Sequence, residues 1–256
     1  MCHEPSARPP LPPIAGGSGI EGTADVLLRA ADGNRFAAYT ATTSDADAPG
    51  VVIMPDVRGL HPFYRDLAER FASAGVHATA VDYFGRTDDT GVRNDDFPYM
   101  DHVKRTTPDG VAADVSAAIA HLRSEAGGGA GRVFTVGFCF GGRNSFNQAG
   151  REQGLDGVVG FYGPPQVRDP DDGNAPTQRA HAYRCPVLGL FGGADQAIPP
   201  EAVQEFEDAL ATGGIEHELV TYEGAPHSFF DRKSTEFKDV CDDAWRRLLR
   251  FVGREV

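Results

Sequence analysis

The sequence predicts an α/β fold: a central, mostly parallel sheet with helices on both faces. Three observations point there. From Val51 onward, short apolar runs alternate with helical stretches. Runs such as "VVIMP" and "PVLGLFGG" are apolar throughout, as buried strands are. Strands separated by helices imply right-handed crossovers, and so parallel pairing. At 256 residues the chain suits one such sheet.

The elements follow in order. Residues 1–20, rich in Pro and Gly, form an arm without its own core. Cys2 and His3 within it are too few to make a metal site. Two strands come next, 24–29 and 35–42, joined by the turn signal "ADGN" and followed by the polar linker "TSDADAPG". "VVIMP" is a buried strand. "FYRDLAERFASAG" sets Phe63, Leu67, Phe71 and Ala74 on one helical face and ends at Gly75. "VHATAVDYF" is the next strand, and a polar and aromatic loop covers 85–106. In "TPDGVAADVSAAIAHLRSEAG", Thr107 caps a helix, Pro108 takes its first position, and Asp109 and Asp114 favour its N-terminal half. Then come "RVFTVGF" as strand, 141–150 as helix, "GVVGFYG" as strand, and a second loop over 164–184. "PVLGLFGG", a helix over 200–212, "HELVTYEG" and a helix near 235–252 close the chain. That last helix lines up Phe237, Val240, Ala244, Leu248 and Phe251 for burial. There is no internal repeat, and residues 21–256 read as a single α/β domain.

The bulk numbers exclude some functions. A net charge of −13 argues against a nucleic-acid partner, which needs clustered Lys and Arg. No segment has the apolar length of a membrane span, and the N-terminus lacks the apolar run of a secretory signal. Cys2, Cys139, Cys185 and Cys241 are scattered without metal-type spacing. The expectation is a cytoplasmic protein with free thiols and no metal site.

Chemistry concentrates at the ends of three strands. In "VFTVGFCFGGRNSF", Gly137-Phe138-Cys139-Phe140-Gly141 is the cysteine form of the G-x-S-x-G nucleophile elbow. The tight strand-to-helix bend leaves room only for small residues on either side of the nucleophile. The helix N-terminus favours a thiolate. A core thiol in a glycine-rich turn is the bland alternative, and Cys185 and Cys241 fit that description. Asp195, in "LGLFGGADQAIPP", follows one strand, and His227, in "YEGAPHSFF", follows another. Singly they are a turn acid and a loop histidine. Together, in the order nucleophile, acid, histidine, they match the chain order of α/β-hydrolases.

The blocks "VGFCFGG", "FGGADQAIPP" and "GAPHSFFDR" resemble the signatures of the dienelactone hydrolase family, a cysteine branch of the α/β-hydrolases. The resemblance runs from about Val51 to the C-terminus. It implies an α/β-hydrolase fold, no cofactor, and hydrolysis of esters or lactones. In that reading Cys139 is the nucleophile, His227 the general base and Asp195 its orienting acid. The backbone N–H groups of Phe140 and Val57 form the oxyanion hole. Asp56, in "MPDVRG", stands where the family commonly carries a glutamate that holds the resting thiol, but it is one methylene shorter. Pairing with Arg58 is its other reading. Arg232 lies near, though out of register with, the family's carboxylate-binding arginine. Arg58, Arg86, Arg93 and Arg143 are further candidates for binding a substrate carboxylate.

The expected chemistry is attack of the Cys139 thiolate on an ester, lactone or thioester carbonyl, with a thioester intermediate. Two alternatives stand beside it: a cyclase or lyase on the same scaffold, or a redox-sensing or binding protein using Cys139.

Overall fold

The computed structural model describes residues 7–14, 19–91, 93–94, 96–168 and 172–254. Two strands, β1 (Ile20–Arg29) and β2 (Arg35–Thr43), form an antiparallel hairpin. The remaining six are β3 (Gly50–Met54), β4 (His77–Val81), β5 (Val133–Phe138), β6 (Gly157–Phe161), β7 (Val187–Gly192) and β8 (His217–Tyr222). All eight make one sheet in the order β1-β2-β4-β3-β5-β6-β7-β8. Apart from that hairpin and the antiparallel pairing of β2 with β4, every pairing is parallel. Strands β3 to β7 are buried along their whole length, which is why they read as unbroken apolar runs.

The helices cover both faces. α1 (Pro62–Ser73) starts with Pro62 in its first turn, and the His61 ring accepts from the Phe63 N–H at 3.3 Å. α2 (Tyr99–Val103) and α3 (Pro108–Arg123) follow, and the Thr107 hydroxyl caps α3 by accepting from the Gly110 N–H at 3.2 Å. α4 (Phe140–Gln148), α5 (Pro176–Arg179), α6 (Pro200–Thr212) and α7 (Lys238–Phe251) complete the set. The expected mostly parallel α/β architecture is therefore what the chain adopts.

Three local readings need correcting. The strand expected to run through Phe84 ends at Val81, and Tyr83–Arg86 wind into a 3-10 turn capped by the buried Asp82 carboxylate. Both loops expected to be irregular contain a short helix, α2 and α5. The buried stripe of α7 is Cys241, Ala244, Trp245, Leu248 and Leu249, one position round from the expected set. The reason is Trp245, whose indole fills the space against Phe71 (ring centroids 4.9 Å) and Phe230 (5.5 Å). Burying so large a ring outweighs Phe237, Val240 and Phe251, which stay half-buried at the margin.

Residues 7–14 run over this same helix. The Trp245 Nε1–H donates to the Pro10 carbonyl at 3.2 Å, and Arg8 pairs with Asp66 of α1 at 3.3 Å. Cys2 and His3 lie outside the described residues.

Candidate active site

β5 sits mid-sheet, and its end is the point around which the site is built. Cys139 links β5 to α4 with φ +53° and ψ −112°, a conformation that side-chain-bearing residues rarely adopt. It is pinned on both sides: its N–H donates to the Phe161 carbonyl at 3.0 Å, and its carbonyl accepts from the Arg143 N–H at 3.0 Å. The flanking glycines are obligatory in space. A Cβ on Gly137 would stand 2.0 Å from the Gly141 carbonyl oxygen. One on Gly141 would stand 2.0 Å from that of Met54 and 2.3 Å from that of Pro55. Their absence lets the elbow pack directly on the end of β3, which brings the 55–58 loop beside the cysteine. As the first residue of α4, Phe140 has an N–H with no partner inside the helix.

Two further loops converge from the other side. Asp195, after β7, accepts from the Ala197 N–H at 2.9 Å on one carboxylate oxygen. Its other oxygen lies 2.6 Å from His227 Nδ1. The acid is buried, whereas the imidazole is about 15 % exposed. With Nδ1–H donating to the carboxylate, Nε2 is left able to accept a proton. The loops themselves are laced by the Ala194 N–H to the Ala225 carbonyl at 2.9 Å. Below them is an aromatic floor in which Phe161 lies against Phe138 (4.7 Å) and Phe230 (4.6 Å).

Cys139, Phe140, Val57, Asp195 and His227 all line one cavity of about 570 Å3. Tyr99, Met100 and Val103 of α2 form an apolar part of its wall, and Arg143, Arg168 and Arg232 supply positive charge. The size suits a small organic substrate. Among the described residues no cluster of three or more His, Cys, Asp or Glu is arranged to hold a metal ion. No helix among them is long and apolar enough to cross a membrane.

The arginine candidates divide. Arg143 and Arg232 border the cavity. Arg58, Arg86 and Arg93 do not, and the expectation that they bind substrate is corrected. Arg86 reaches back to Asp32 (2.6 Å) and Asp114 (2.8 Å). Arg93 is buried between Asp82 and Asp88, over the Phe97 ring. Arg58, 3 % exposed, is enclosed by Asp56 and Asp231. In this acidic chain these three arginines serve as counter-charges to carboxylates within the fold, which periodicity cannot reveal. Even Arg143 is partly committed, since it donates to the carbonyls of Pro164 (2.9 Å) and Gln166 (2.8 Å) and pairs with Asp172.

Asp56 takes its alternative reading. Its carboxylate accepts from the Arg58 N–H (2.9 Å) and from Arg58 Nε (3.0 and 3.1 Å). The resting-thiol role thus competes with an ion pair that already engages both of its oxygens. Burial pushes the thiols of Cys185 and Cys241 up to about 12, as befits core cysteines. None of the three described cysteines is in a disulfide.

Sequence reading passed over Tyr162 and Asp231. Tyr162, φ +38°, directly follows β6 and sets its ring 5.0 Å from that of His227. The signal for it was a tyrosine before a glycine at a strand's carboxyl end, "GFYG".

A model of the dienelactone hydrolase family matches residues 36–256. An Escherichia coli K12 protein provisionally named carboxymethylenebutenolidase is 30 % identical over 226 residues, which is 86 % of this chain and 82 % of that protein. A Bradyrhizobium protein provisionally named 2-oxo-3-(5-oxofuran-2-ylidene)propanoate lactonase is 26 % identical over 207 residues, 80 % of this chain and 83 % of its own. Among solved structures, a provisionally titled dienelactone hydrolase from Klebsiella pneumoniae superposes with a TM-score of 0.77 at 26 % identity. That match covers 92 % of this chain and all of the other.

Proposed function

The chain belongs to the dienelactone hydrolase family, and on that premise we propose that it hydrolyses a small carboxylic ester or lactone through Cys139, His227 and Asp195. The observation that carries the reading is the 2.6 Å His227–Asp195 pair, opening onto the same cavity as Cys139.

In this mechanism the Cys139 thiol gives its proton to His227 Nε2 as sulfur attacks the carbonyl carbon. Asp195 holds the imidazole in the Nδ1–H form and stabilises the imidazolium. The carbonyl oxygen takes up the negative charge and is met by the N–H groups of Phe140 and Val57, each such donor contributing roughly 3 kcal/mol. Collapse breaks the carbon–oxygen ester bond, and the departing oxygen takes the proton from His227. Water, deprotonated by His227, then attacks the thioester, releases the acid and restores the thiol. With a lactone, alcohol and acid remain in one product molecule.

The arginines bordering the cavity favour a substrate that carries a carboxylate of its own. α2 would meet its apolar part. The test is substitution followed by steady-state ester and lactone hydrolysis. Cys139→Ala and His227→Ala should each abolish most turnover while the circular dichroism spectrum stays native. Near-wild-type turnover in either variant overturns the reading.

A further inference from the structure

Arg58 touches neither cavity nor solvent, yet it joins two loops of the site that are 173 positions apart in sequence. At one end it closes the turn that presents Val57. Asp56 accepts from the Arg58 N–H at 2.9 Å and from its Nη2 at 2.9 Å, and the Asp56 carbonyl accepts from the Gly59 N–H at 3.2 Å. At the other end the same Nη2 pairs with Asp231. Asp231 lies four residues beyond His227 and is tied to that loop by its N–H, which donates to the Ser228 carbonyl at 3.1 Å. Between the two acids, the guanidinium lies over the rings of Phe63 (5.3 Å) and Tyr64 (5.6 Å) on α1. Tyr64 in turn accepts the Asp56 N–H at 3.0 Å.

Resting on the reading of the site given above, we propose that Arg58 is a positioning residue. By bridging Asp56 and Asp231 it sets the spacing between the oxyanion donor Val57 and the base His227. The trio is ill suited to a purely stabilising role. All three side chains are at least 95 % buried, and two carboxylates converge on one guanidinium, with Arg232 acting on Asp231 as a further cation. Arg58 Nη1 and one Asp231 oxygen have no hydrogen-bond partner among the described residues. Such a cluster gains little over apolar packing of the same volume, so its distinctive property is directional geometry. The two loops otherwise belong to strands at different places in the sheet, β3 and β8, with β5, β6 and β7 between them. A misplacement of about 1 Å between donor and base can cost on the order of 10²-fold in rate.

The experiment compares Asp231→Asn, Arg58→Lys, Arg58→Met and the double variant Arg58→Met/Asp231→Asn. The substrate is p-nitrophenyl acetate, and rates are normalised to active Cys139 by iodoacetamide titration and intact mass. Each single change should lower kcat per active thiol about ten-fold or more, with KM moving less than about two-fold. Arg58→Lys should recover part of the loss of Arg58→Met. The double variant should be no slower than the slower single, because both changes break one connection. A wild-type kcat per active thiol, whatever happens to Tm, overturns the proposal, as does a double loss equal to the product of the singles. Should Arg58→Met not fold, the near-isosteric Asp231→Asn decides alone by the same criterion. Cys139→Ala separates the two levels. An active Cys139→Ala sinks the reading of the site itself. An inactive one beside a fully active Asp231→Asn sinks only the role of Arg58.

Discussion

His227 donates from Nδ1 to the Asp195 carboxylate across 2.6 Å, and that contact joins the loops that leave β7 and β8. It decides which imidazole nitrogen faces the cavity. Asp195→Asn would keep the shape but would present an amide that can hold the ring in the opposite tautomer. The expected result is a fall in kcat of about 10²- to 10⁴-fold with an unchanged fold, read by pre-steady-state kinetics and circular dichroism. A loss below about three-fold contradicts the orienting role.

The elbow makes a prediction about stability. Gly137→Ala must displace the Gly141 carbonyl, because the new methyl would stand 2.0 Å from its oxygen. Overpacking of this kind costs typically about 1–3 kcal/mol, and backbone movement would carry Cys139 out of line. We expect a lower urea midpoint and near-complete loss of ester hydrolysis in the folded fraction. Wild-type values for both would show that the bend tolerates a side chain.

The pH dependence of stability should carry the mark of Asp231. Burial raises its carboxyl from 3.8 to about 6, against the pull of Arg58, with Asp56 adding to the rise and Arg232 opposing it. A raised carboxyl keeps its proton in the folded state where the unfolded chain has lost it. Its contribution is therefore fullest below pH 4 and is lost as pH climbs through 6. At roughly 1.4 kcal/mol per unit the loss is of order 3 kcal/mol. Urea midpoints from pH 4 to 7 should fall less steeply for Asp231→Asn than for the parent. Parallel curves would contradict this.

How much of this could be read beforehand follows from where each signal resides. β3, β5 and β7 were legible because strands buried on both faces leave unbroken apolar runs, and Thr107 announced its helix by a cap that needs only local geometry. Cys139 and Asp195 were legible because each follows such a run at its carboxyl end, and His227, after the partly exposed β8, because it completes the chain order nucleophile, acid, histidine. α2 was not, since five residues in a polar stretch carry no measurable period. The stripe of α7 depended on the hollow between Phe71 and Phe230, a tertiary fact. The arginines were least legible of all. Arg58 and Asp231 meet only in the folded chain, and one arginine in sequence looks like any other.

Substrate charge gives a prediction that separates the arginines at the cavity. Arg232→Met and Arg168→Met should each raise KM for a carboxylate-bearing ester about ten-fold or more while sparing its neutral analogue. Arg143→Met should impair both substrates alike, because this arginine anchors the Pro164 and Gln166 carbonyls of the adjoining loop. Equal effects of the first two changes on both esters would discard an anion site.

The covalent step is open to the most direct measurement. A slowly deacylated ester, quenched within milliseconds and followed by intact and peptide mass, should add one acyl group to the chain, located on Cys139. The adduct should appear and decay at rates that account for turnover, and Cys139→Ala should carry none. Full turnover with no adduct on Cys139, or an acylated residue elsewhere, would contradict the account at its root.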